Sequence, residues 1–95
     1  MSKTEQIKER IREIARSRKN VTLDNIEWVV NQLGSIYDVH ARDTKSGHGR
    51  IFRIGDQKFS VCKHHRGSKQ VKPCYVDAFV DAMIELGWYE ESTDD

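Results

Sequence analysis

The amino-acid sequence predicts an α+β domain: a two-layer sandwich, ordered α-α-β-β-β-α, with helices covering one face of a three-stranded antiparallel sheet. Three observations carry this. Apolar residues recur at helical spacing in three segments, at Ile7, Ile11 and Ile14, at Leu23, Ile26, Val30 and Leu33, and at Val76, Phe79, Val80 and Met83. Between the second and third segments the period changes to two, Tyr37, Val39 and Ala41 alternating with Asp38, His40 and Arg42. The length of 95 residues suits a single domain around one core.

Each element has its own signals. Ser2 followed by Glu5 is a capping-box pattern, and the first helix runs from there to about Ser17. Its narrow apolar face and charged remainder suit a helix along one edge, an N-terminal extension over residues 1–20. Thr22 caps the second helix, and Gly34 ends it where left-handed backbone is wanted. The first strand follows, and residues 43–47 form a loop. A second strand covers about His48 to Ile54, Gly55-Asp56 supplies turn residues, and a third strand places Phe59 and Val61 on one face. After a polar stretch from His64 to Lys69, Pro73 opens the last helix and Gly87 closes it, with Trp88-Tyr89 as a hydrophobic clasp. A core over residues 21–89 is expected, with residues 90–95 as an acidic tail. The second and third helices should cover the apolar sheet face. Asp38, His40, Arg42, Lys58, Ser60 and Cys62 should stand on the open one.

The total of 16 Lys and Arg against 15 Asp and Glu conceals a segregation. Residues 1–39 hold seven basic and six acidic side chains, residues 40–72 hold nine and two, and residues 73–95 hold none and seven. All four histidines, His40, His48, His64 and His65, fall in the basic block. Such asymmetry points to polyanion binding by one surface. With no apolar run near the roughly 20 residues of a membrane span, and a charged N-terminal segment, a cytoplasmic protein is expected. Two cysteines are too few for a disulfide scaffold and read as reduced thiols. Cys62, His64, His65 and Cys74 lack the paired Cys-x-x-Cys or His-x3-His spacing of a structural zinc site, so neither metal nor cofactor is expected. Cys74 reads as a small buried residue under the first turn of the last helix.

The α-β-β-β-α core has the layout of double-stranded RNA-binding domains. Within it, over residues 21–88, stand Leu33-Gly34, Lys45-Ser46-Gly47-His48, Val61-Cys62-Lys63-His64, and the helix from Val76 to Leu86-Gly87. In these pieces and their order the chain resembles the HicA family of toxin ribonucleases. The resemblance implies a metal-independent endoribonuclease that cleaves mRNA and is inhibited by a HicB-like antitoxin. It places the functional histidine at His48. The chemistry agrees, because attack by a ribose 2′-OH needs a proton acceptor near neutral pH and imidazole titrates there. His64 and His65 stand between a second acid/base role and phosphate contact. Lys45, Arg50, Arg53, Lys63, His64, His65 and Arg66 are the expected RNA-binding residues.

The order Ser46-Gly47-His48 departs from the family's Gly-Ser-His, and an extra residue stands before the apolar anchor Phe52. With Phe52 and Ile54 inward, a regular strand would turn His48 inward too, so a bulge or irregularity is expected at Gly47–Gly49. Two alternatives remain on the same fold. One is a non-catalytic RNA-binding or adaptor domain; the other is a protein-interaction module whose basic face takes an acidic partner.

Overall fold

Ser2 accepts a hydrogen bond from the Glu5 backbone N–H (3.2 Å) and starts α1, Lys3–Arg16. A reciprocal capping box between Thr22 and Asn25 starts α2, Leu23–Leu33. These helices belong to a computed structural model that describes residues 2–45, 47, 49–64 and 67–90. The remaining elements are β1 (Val39–Asp43), β2 (Gly49–Ile54), β3 (Gln57–Cys62) and α3 (Pro73–Glu85). The order α-α-β-β-β-α and the open antiparallel sheet β1-β2-β3 are those the sequence predicts. Among the described residues no helix is long and apolar enough to cross a membrane.

The core lies between the sheet and the helices. Phe52, Ile54, Phe59 and Val61 face Ile26, Val30, Val76, Phe79 and Met83, and the Phe59 ring meets Phe52 and Phe79 at centroid distances of 5.7 and 5.8 Å. The first helix is not an appendage on an edge. Ile7 and Ile11 are 1% and 0% exposed, and α1 packs against both α2 and α3. Its apolar stripe is narrow because it fills the space between two helices, where one row of isoleucines suffices.

Two glycines end helices differently. Gly87 is left-handed (φ 82) and its N–H bonds to the Ile84 carbonyl, while the Trp88 N–H reaches the Met83 carbonyl at 2.8 Å, completing a Schellman motif. Gly34, expected to be left-handed, has φ −60 instead. The chain there continues as a turn in which the Ile36 and Tyr37 N–H groups share the Leu33 carbonyl.

The Trp88 Nε1–H donates to the Tyr37 hydroxyl (2.8 Å), which reaches the Leu86 carbonyl (3.5 Å), so the clasp after α3 is tied to the start of β1. Tyr37→Phe removes both bonds from a half-buried site. It is expected to cost about 1 kcal/mol, seen as a fall in Tm of about 4–8 °C in thermal denaturation.

The segment after β3 does more than connect. Its Val71 pairs with Lys63 at the end of β3, and its Gln70 pairs with Thr22. The Val71 N–H donates to Val21 (2.8 Å), and the Lys72 N–H donates to Cys62 (3.1 Å). The starts of α2 and α3 are thereby drawn to the same end of the sheet.

Candidate nucleic-acid interface

Pleating divides the strands between two faces. Val39, Ala41, Arg50, Phe52, Ile54, Phe59 and Val61 share the helix side, and their neighbours form the open side. Register sets the open side in transverse rows. His40, Arg53 and Lys58 stand opposite one another, followed by Arg42, Ile51 and Ser60, and then by Gly49 and Cys62. The basic and imidazole side chains expected on this face are there. His40 bonds to Asp38 at 3.2 Å, whereas among the described residues Arg42, Arg53 and Lys58 have no ion-pair partner.

Arg50, expected to contact phosphate, points the other way. It lies on the helix side with Phe52, where its guanidinium is 3.4 Å from Glu27 of α2 and 3.4 Å from Asp43. Its parity follows from Phe52 and Ile54 being inward. Its acidic partners come from tertiary packing.

The hairpin loop before β2 closes through the Thr44 N–H to the Gly49 carbonyl (3.0 Å) and the Gly47 N–H to the Thr44 carbonyl (3.1 Å). Gly47 is left-handed (φ 75). Gly47 thus serves the loop, and the side to which His48 turns is outside the described residues. Gly49 carries no bulge, since it pairs one-to-one with Cys62 and the ladder from there to Ile54 is regular. Glycine is required at 49 for close approach: a Cβ would lie 2.2 Å from the Val61 carbonyl oxygen and 2.9 Å from the Cys62 Sγ. His48 itself, with Ser46, His65 and Arg66, lies outside the described residues.

Comparison with protein-family models, curated proteins and solved structures found no match.

The end of the sheet that bears this loop is the basic end. Because Gly49 pairs with Cys62, the loop carrying Lys45 lies beside Lys63 and His64. The return segment brings Lys69 and Lys72 to the same end through its bonds to Leu23 and Cys62. Lys72 is the N-cap of α3 and makes no side-chain cap bond; the first turn holds no acidic residue. Lys45, Lys63 and His64 thus fall together, and Arg53 stands apart on the open face. The sequence reading placed His40, Arg42 and Lys58 on the open face but did not name them as RNA contacts. The signal was present, since a two-residue turn at Gly55-Asp56, with Gly55 at φ 58, makes Arg53 and Lys58 partners.

Beside the loop, the Tyr75 phenol is held above its ordinary pKa. The first cause is its hydrogen bond with Cys62 and the second is repulsion from that thiol's charged form; burial and Cys74 add to them. A phenol so placed remains protonated at neutral pH. Cys74, expected to be buried, is exposed, because the first turn of α3 projects it away from the core.

Proposed function

We propose that this chain is an RNA-binding endoribonuclease of the HicA kind, acting on mRNA in the cytoplasm without a metal and inhibited by a HicB-like protein. The observation that supports this most directly is the clustering of cations at the hairpin-loop end of an open sheet, where the loop carries His48 in the sequence. Lys45, Lys63, His64, Lys69 and Lys72 supply positive charge there, and Arg42, Arg53 and Lys58 extend it along the open face. In the reaction, the His48 imidazole takes the proton of a ribose 2′-OH, whose oxygen attacks the adjacent phosphorus. The P–O5′ bond breaks as the new P–O2′ bond forms, leaving a 2′,3′-cyclic phosphate, and the departing 5′ oxygen takes a proton from solvent to become a 5′-OH. Lysines around the loop offset the charge that gathers on the phosphoryl oxygens. An inhibitor that covers the open face would block both binding and cleavage.

The test is to incubate the purified chain with end-labelled mRNA in a chelator and to express it in cells. Metal-independent cleavage and growth arrest are expected. Salt-sensitive binding with no cleavage would overturn the enzymatic half and leave an RNA-binding module. Absence of RNA binding at low salt would overturn both and favour an acidic protein partner.

A further inference from the structure

The row His40, Arg53 and Lys58 crosses all three strands at one register, on the face the helices leave uncovered. Directly opposed side chains on adjacent strands stand about 5 Å apart at Cβ, and like charges so placed destabilise a sheet. Asp38 is engaged with His40, and among the described residues neither Arg53 nor Lys58 has an ion-pair partner. The row also lines a depression of about 470 Å³, together with Arg42 and Ile51. Contrast Arg50, three residues before Arg53, which the fold supplies with two carboxylates. A charge conflict maintained at an exposed site, beside a concavity, has the form of a site completed by an anion.

We infer that the His40, Arg53 and Lys58 row is a second phosphate-binding site, which anchors the RNA backbone away from the point of cleavage. It rests on the RNA-binding half of the function proposed above and extends it. Four residues of strand separate this row from Gly49 and Cys62, a distance of about 13 Å. An RNA strand held at both ends of the face therefore spans a few nucleotides, and affinity depends on RNA length. Phe52 and Phe59, the aromatic residues of the strands, are turned to the core and offer the row no stacking surface. Recognition is therefore of phosphates and tolerant of base sequence.

The experiment compares wild type with Arg53→Gln/Lys58→Gln and, separately, Lys63→Gln. The probe is a fluorescent single-stranded RNA of about 20 nucleotides with 2′-O-methyl groups, which removes the attacking hydroxyl, and binding is followed by anisotropy across a salt titration. The double variant should flatten the slope of log K against log salt by about 1.4, corresponding to two lost phosphate contacts. Its Tm should be equal to wild type or higher by about 2–4 °C, because a repulsion has been removed. A slope unchanged in the double variant but flattened in Lys63→Gln overturns the row and leaves the RNA reading intact. A clear fall in Tm overturns the row as well, by showing that these cations serve the fold. Failure of the wild type to bind the probe even at low salt overturns the row and the RNA reading together.

Discussion

Replacing His48 with alanine is expected to slow RNA cleavage by about 10²–10⁴-fold, to relieve growth arrest on expression, and to leave RNA affinity close to wild type. The separation follows from a division of labour. On the proposed function, the lysines and arginines of the loop end and open face are the groups that hold phosphates. The His48 imidazole is assigned only the proton of the ribose 2′-OH, so its loss should act on the chemical step rather than on binding. Single-turnover cleavage, measured alongside equilibrium binding and thermal denaturation, distinguishes the result from unfolding. A variant that cleaves as fast as wild type removes His48 from the chemistry.

The substitution with the largest expected effect on stability is Gly49→Ala, at about 2–3 kcal/mol, or a Tm lower by about 8–20 °C. The added methyl would meet the Val61 carbonyl oxygen at 2.2 Å and the Cys62 Cα at 2.7 Å. Both are backbone atoms of the paired strand, so no rotamer change relieves them. The strands must part at the end from which the His48 loop departs. Cleavage should fall with stability in this variant, because the loop loses its closing bond from Thr44 to the Gly49 carbonyl. Gly34→Ala is the control. Its backbone is right-handed (φ −60) and its Cβ would lie 3.2 Å from the Asn31 carbonyl oxygen. A change within about 1 kcal/mol is expected there. Equal melting of Gly49→Ala and wild type would show that the close approach of β2 and β3 is dispensable.

Local signals account for most of the fold. Ser2 and Thr22 cap helices where their spacing to Glu5 and Asn25 allows, and Gly87 ends α3 in left-handed backbone. Each of these depends on groups within five residues of one another. The departures involve groups far apart in the chain. Gly34 was expected to act as Gly87 does, but the chain leaves α2 by a right-handed turn, beyond which Tyr37 accepts a hydrogen bond from Trp88. The stripe of Ile7, Ile11 and Ile14 was visible, yet its burial between α2 and α3 depends on where those helices lie. At the interface, Lys45, Lys63 and His64 were named from their place in a basic block. Arg50 was named on the same ground, but strand parity turns it to the helix side, where Glu27 and Asp43 lie beside it.

Periodicity, capping and turn residues specify helices, strands and their order, because those preferences act over one turn or one pleat. The segregation of charge, nine basic side chains against two acidic over residues 40–72, is likewise a property of the chain alone. Packing assigned each cation its neighbours. Arg53 stands in a row with His40 and Lys58 and Arg50 stands beside two carboxylates, although only two residues separate them along β2. Coulomb interaction depends on distance through space and on how much solvent intervenes. Strand register and helix packing set both quantities, bringing Glu27 of α2 to Arg50 and leaving Arg53 without an ion-pair partner among the described residues.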